Sequence, residues 1–237
     1  SSGTDVPTTK AAPMADIGGD ASYITHITDL PSDILEYIDQ FLTTDHPPVV
    51  AYFCHLNSLN LPNWVDKIPR AGFSGDGFFQ GNIFLLKVDL SNTNLPEIPR
   101  ACFKDCSNLR RVLLPHEHPV DIRNNAFENC VSLQEVDLPN VKHIGRSSFR
   151  NTGLVEVVIP GICDTIWKGA FSNCIKLKSV VIEEGCLGIR RSCFSGCVRL
   201  ENLQLPDSLR YLGINAVWGC VSLHVLRIAR GTFPGNQ

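Results

Sequence analysis

Phenylalanine returns along this chain at a nearly fixed interval. Phe73, Phe103, Phe127, Phe149, Phe171 and Phe194 are separated by 30, 24, 22, 22 and 23 residues, and Val217 follows after 23 more. The whole unit recurs with the ring. Residues 122–139 read Ile-Arg-Asn-Asn-Ala-Phe-Glu-Asn-Cys-Val-Ser-Leu-Gln-Glu-Val-Asp-Leu-Pro. Residues 189–206 read Ile-Arg-Arg-Ser-Cys-Phe-Ser-Gly-Cys-Val-Arg-Leu-Glu-Asn-Leu-Gln-Leu-Pro, with the same apolar, cysteine and proline columns. Seven copies begin at Ile68, Ile98, Ile122, Ile144, Ile166, Ile189 and Leu212, and the first carries about six extra residues between Phe73 and Val88. A unit this short cannot bury its own apolar face, so neighbouring copies must stack and share one continuous core.

A period in the twenties with an L-x-x-L-x-L core is the signature of a leucine-rich repeat. Period-2 alternation picks out inward pairs on a strand in each copy: Val88/Leu90, Val112/Leu114, Val136/Leu138, Val157/Ile159, Val180/Ile182, Leu203/Leu205 and Leu226/Ile228. These strands are expected to line up as a parallel concave sheet. The run Ile-x-x-x-Ala-Phe-x-x-Cys-x-x-Leu-x-x-Val/Leu-x-Leu/Ile-Pro resembles the BspA-like leucine-rich repeats of the Treponema pallidum type, over residues 68–228. Thr152 in the Cys column, Val217 in the Phe column and the long first unit depart from the pattern. The resemblance implies a binding scaffold. Members of the family are bacterial and protist surface proteins and intracellular protist and algal proteins.

Nine of the ten cysteines sit in repeat columns. Cys106, Cys130, Cys174, Cys197 and Cys220 follow the Phe or Val by three; Cys102 and Cys193 precede the Phe; Cys163 and Cys186 lie three before the next unit's Ile. Other copies hold small or medium side chains at most of these sites, so the cysteines read as buried, reduced hydrophobes. Cys102/Cys106 and Cys193/Cys197 have a zinc-like spacing, but only because two columns hold Cys in the same copy. Reduced thiols, with no Asn-x-Ser/Thr sequon anywhere, point to an intracellular compartment: cytoplasmic, or organellar after presequence removal.

Residues 1–22 form a tail rich in Ser, Thr, Pro, Ala, Gly and Asp, without a core of its own. Residues 23–66 are expected to be helical. Pro31, Ser32 and Asp33 suit a helix start, and Ile34, Leu35, Ile38, Phe41 and Leu42 fall on one helical face. His46-Pro47-Pro48 ends it, and a short apolar segment containing Cys54 follows. Leu30, Pro31, Ile34, Leu35, Ile38, Phe41 and Leu42 resemble an F-box, which implies docking of the adaptor of an SCF-type ubiquitin ligase. The same stripe serves equally as a cap over the first repeat, since a solenoid needs one. The fold expected for the whole chain is therefore α+β: a leucine-rich repeat solenoid over 67–237 behind a small helical element.

No catalytic constellation stands out, and neither a cofactor nor a metal is expected. His116-Glu117-His118 lacks a third ligand at metal spacing, and Gly75-Asp-Gly-Phe-Phe-Gln-Gly81 misses both phosphate-loop patterns. The net charge of −3 argues against nucleic acid, and no apolar run reaches the ~20 residues of a membrane span. Function should lie on two exposed stripes. Outward strand positions make a concave protein-binding face of Arg111, Leu113, Glu135, Asp137, Glu156, Val158 and Val181, with an apolar centre and an acidic patch. Two residues after each unit's first Ile runs a basic stripe of Arg70, Arg100, Arg146, Lys168 and Arg191, interrupted by Asn124 and ended by Ile214. At the last copy, Trp218 and the edge formed by Leu226 and Phe233 are apolar, so another chain is expected to cover them. The partners expected are proteins: a ligase adaptor, or neighbouring subunits of a larger assembly.

Overall fold

The computed structural model describes residues 57–61, 67–68 and 77–227. Each turn of the chain lays down two short strands. The first set is concave: β1 (Ser58–Asn60), β2 (Lys87–Asp89), β4 (Arg111–Leu113), β6 (Glu135–Asp137), β8 (Glu156–Ile159), β10 (Ser179–Ile182), β12 (Asn202–Gln204) and β14 (Val225–Arg227). The second set is β3 (Glu97–Ile98), β5 (Val120–Ile122), β7 (Val141–Ile144), β9 (Thr165–Ile166), β11 (Gly188–Ile189) and β13 (Tyr211–Leu212). All pairings are parallel, and column residues meet in register: Val88 with Val112, Val112 with Val136, Val157 with Val180, Val180 with Leu203. Among the described residues six complete turns carry both strands, against the seven copies read in the sequence.

The α+β expectation is overturned. Among the described residues there is no helix, and the reason is local. Two residues per turn have positive φ, one two before the Phe (Ala101, Asn125, Ser147, Gly169, Ser192, Asn215) and one two after it (Asp105, Asn129, Asn151, Asn173, Gly196, Gly219). A left-handed residue at both places breaks any run of right-handed helix across the Phe column, so the solenoid is built from strands and tight turns. The helical element expected at 23–66 lies outside the described residues except for 57–61. There the chain forms β1, a strand of the concave sheet that pairs with β2.

The Phe column is the spine of the core. Phe79, Phe103, Phe127, Phe149, Phe171 and Phe194 stack face to face, with centroids 5.1 Å apart at the first step and 5.6 Å at the last. Among the described residues the column begins at Phe79, in the place expected for Phe73, which lies outside the described residues. From Phe79 the unit runs through Leu85, Val88 and Leu90 with the same spacing as Phe103, Leu109, Val112 and Leu114. The first described unit is thus regular, and the extra residues precede it.

Backbone groups at these turns are satisfied between turns, as a buried main chain requires. The N–H of Phe127 donates to the Ser148 carbonyl at 2.7 Å, and that of Phe149 to Ala170 at 2.8 Å. The thiols add a second ladder: Cys106, Cys130, Cys174, Cys197 and Cys220 each donate to the carbonyl of the preceding turn's Phe, at 3.0–3.1 Å. Eight of the nine described cysteines are buried, Cys220 is half-buried, and all nine are free. Burial pushes the thiols of Cys106 and Cys163 up to about 12 and that of Cys186 to about 11, so they stay protonated donors at neutral pH. A third ladder runs along the positive-φ column, where Asn129 donates to Asp105 at 2.8 Å and Asn151 to Asn129 at 3.1 Å.

Candidate protein-binding face

The concave sheet is interrupted. Strands β1, β2, β4 and β6 form one sheet, β8, β10, β12 and β14 another, and β6 is not paired with β8. The cause lies in the turn before β8. Cys130 is followed by Leu133 after two intervening residues, but Thr152 is followed by Leu154 after Gly153 alone. The shortened turn presses residue 153 against the Val131 carbonyl, where a Cβ would come within 2.5 Å, so only glycine fits. Elsewhere the strand is led in by a backbone bond, from Gln134 N–H to Arg110 and from Lys178 N–H to Val155. Among the described residues no backbone bond runs from Val155 to Gln134.

At the interruption the face opens into a cleft of about 490 Å³. Six of the seven concave residues picked from the sequence line it: Arg111, Leu113, Glu135, Asp137, Glu156 and Val158. Val181 is half-buried on β10, outside the lining. Val136, which belongs to the inward column, is only partly buried here, and Val158 is 55% exposed. The Arg111 Nε sits 3.3 Å from the Glu135 carboxylate, with both side chains more than half exposed, so the pair adds little to stability. Asp137 and Glu156 have no ion-pair partner among the described residues. The cleft therefore offers an apolar strip of Leu113, Val136 and Val158 beside a net surplus of carboxylate. The lining residue Val136 went unpicked because its column points inward; the missing residue after Thr152 was the signal that it would be uncovered.

The basic stripe is also in place. Arg100, Arg146, Lys168 and Arg191 are all exposed, and among the described residues none is in an ion pair. Arg70 lies outside the described residues. The carbonyls of Arg146, Lys168 and Arg191 accept N–H bonds from Asn125, Ser147 and Gly169 of the turn before, which fixes the backbone under the stripe. At the last turn Trp218 is 68% and Leu226 41% exposed, while Phe233 lies outside the described residues. His116 and His118 are exposed in their loop, and no group of three metal-ligating side chains converges among the described residues. No helix among them is long and apolar enough to cross a membrane.

A family model described as the BspA type leucine rich repeat region matches residues 51–141 and 120–232, in six copies. Among solved structures, the chain is similar to the leucine-rich repeat protein of T. pallidum, at 31% identity and a TM-score of 0.61, over 70% of this chain and 78% of that one. It is similar in fold to a leucine-rich cell surface protein of Faecalibacterium prausnitzii, at 23% identity and a TM-score of 0.58, over 70% of this chain and 46% of that one. A search of the curated proteins gave no match.

Proposed function

Because the chain belongs to the BspA-type leucine-rich repeat family, we propose that it is a non-catalytic protein-binding scaffold whose partner seats in the concave cleft between β6 and β8. The observation that carries this reading is the interruption of the sheet. It leaves Val136 only partly buried beside the outward Val158, at the place where Glu135, Asp137 and Glu156 gather. An apolar centre with a charged rim is the anatomy of a protein interface. The carboxylate surplus selects a basic partner segment, and an extended one suits a cleft walled by strands. The test is a photo-crosslinking side chain at position 158, with a second at the exposed Arg150 as the control. Adducts should form from position 158 and disappear when Glu135→Lys and Asp137→Lys are introduced together. Equal adduct yield from both positions, or no response to the charge reversal, would refute the reading.

The finer reading, a substrate-recognition subunit of a ubiquitin ligase, is supported by the pattern of residues 30–42 alone. The alternative is a structural subunit of a larger assembly, and a surface adhesin is the third use of such a scaffold. Co-purification of the intact chain separates the first two: a substoichiometric ligase adaptor marks one, a fixed set of stoichiometric subunits the other. We favour an intracellular location, supported by the free, buried thiols. Native disulfides found by mass spectrometry under non-reducing conditions would overturn that.

A further inference from the structure

The second sheet carries its charges unevenly. In its N-terminal half carboxylates face the cations: Arg123 meets Glu97 at 2.7 Å and Asp121 at 3.5 Å, and His143 meets Asp121 at 2.7 Å, while Arg100 and Arg146 stay unpaired among the described residues. Over the last three turns the same columns hold Trp167, Lys168, Arg190, Arg191, Arg210 and Tyr211, all exposed. None of those four cations is in an ion pair among the described residues. Three acids stand nearby, Asp164, Glu184 and Asp207, and none is in an ion pair among the described residues; the Glu184 carboxylate accepts from the N–H groups of Asp207 and Ser208. Arg210 donates to the carbonyl of Asp207 at 3.2 Å, not to its carboxylate.

Arg190 sits between two rings. Its guanidinium carbon is 5.6 Å from the centroid of Trp167 and 5.2 Å from that of Tyr211. In the next turn Gly213 occupies the position equivalent to Arg190 and carries no side chain to cover the group. Such stacking holds the planar fork still and leaves its edge N–H donors free, which lowers the ordering loss when it grips a carboxylate.

We infer that this basic and aromatic face is a second docking site, for an extended acidic segment of a protein. The cations are strung out one turn after another, about 4.8 Å apart per strand step, not gathered into a pocket. That spacing suits a linear anion whose charges come residue by residue along a strand. A nucleic acid packs its charge more densely and would run on to the carboxylates at Glu97 and Asp121. The exposed faces of Trp167 and Tyr211 receive apolar side chains set between the acids. The site is distinct from the concave cleft and takes a partner of opposite charge.

The probe is a fluorescein-labelled peptide of alternating Glu and Tyr, followed by fluorescence anisotropy on the full chain. Binding should weaken as salt rises, and should weaken about tenfold, or 1.4 kcal/mol, in Arg190→Gln and again in Trp167→Ala. Charge reversal at the cleft, Glu135→Lys, should leave it unchanged. A Gln-Tyr peptide should not bind. If Trp167→Ala alters the melting curve, Lys168→Glu with Arg191→Glu, exposed and unpaired, carries the test instead. Equal binding of the Gln-Tyr peptide would overturn the proposal, as would unchanged affinity in Arg190→Gln. So would tighter binding of single-stranded DNA or of phosphatidylserine vesicles than of the acidic peptide.

Discussion

Inserting one serine after Gly153 would restore the turn length found between Cys130 and Leu133. The sequence Thr-Gly-Ser-Leu would then match Cys-Val-Ser-Leu, and β8 should close onto β6. The gain can be worked from the neighbouring pairs, where β4 meets β6 through three register partners and β8 meets β10 through four. Closure would add about three backbone hydrogen bonds, each contributing roughly 0.5–1.5 kcal/mol net, or about 2–4 kcal/mol together. Val136 would also go from partly buried to buried. Against this, fixing one more residue costs about 1–2 kcal/mol. The variant should be more stable by about 1–2 kcal/mol, seen as a higher midpoint in urea, and the amides of 156–158 should exchange more slowly. The cleft should close with it, so crosslinking from position 158 should fall. A lower midpoint with unchanged exchange at 156–158 would mean that the interruption is not caused by the short turn.

Phe171→Ala, fully buried and stacked on both Phe149 and Phe194, should cost about 3–5 kcal/mol. The loss should exceed that of Phe79→Ala, which sits at the end of the column; equal losses would deny the stack its continuity. Ser148→Ala should be neutral or stabilising by about 1 kcal/mol, because the Ser148 hydroxyl is buried without a hydrogen-bond partner among the described residues and Ala already holds that column at 126 and 170; a clear loss of stability would show a hidden partner. Gly145→Ala should destabilise, since its Cβ would come within 2.8 Å of the Arg123 and Asn124 backbone, whereas Gly81→Asn, at positive φ with open space around it, should be tolerated; thermal melts compare the two. Stability should hold below pH 8 and fall as pH rises from about 9 towards 12. The unfolded thiols ionise near 8.5–9 while Cys106, Cys163 and Cys186 hold their protons in the fold, at about 1.36 kcal/mol per pH unit per thiol.

The columns that repeat in every turn were legible because each position answers to one physical demand. Most of the Val-x-Leu pairs, the Phe stack from Phe103 to Phe194 and eight of the nine described cysteines are buried as their spacing implied, while Val136 and Cys220 are only partly buried and Leu226 is exposed. What the spacing could not reveal is how the chain passes between columns. Asn125 and Asn129 read as ordinary loop polars, yet their left-handed backbone is what forbids a helix there. Phe73 and Phe79 are both followed by plausible partners, and only the stack on Phe103 settles which ring belongs to the column. The concave residues were found by alternation, but the cleft that gathers six of them depends on a deletion after Thr152, just before β8 and one or two turns from the residues of β6 and β4. Trp167, Arg190 and Tyr211 were missed because each comes from a different copy, in neighbouring columns that hold Arg, Gly or Thr elsewhere.

A perfectly regular solenoid has no privileged place on its surface, since every turn presents what its neighbours present. A site on such a molecule has to be made by a departure from the repeat, and the departures here are few enough to follow. The lost residue after Thr152 breaks hydrogen bonds between two strands that the core still holds in the stack, because Val157 keeps register with Val180 on its other side. The weakening is thereby confined to one face. The Phe column continues beneath it without a step, at 5.2 Å between Phe127 and Phe149 and 5.2 Å between Phe149 and Phe171. The thiol column alters at the same turn, where Thr152 bonds its own turn's Phe149 carbonyl in place of the preceding one. Structure and function are thus divided between layers: the buried columns pay for stability with near-identity, and the turns outside them are free to shorten, open and carry charge.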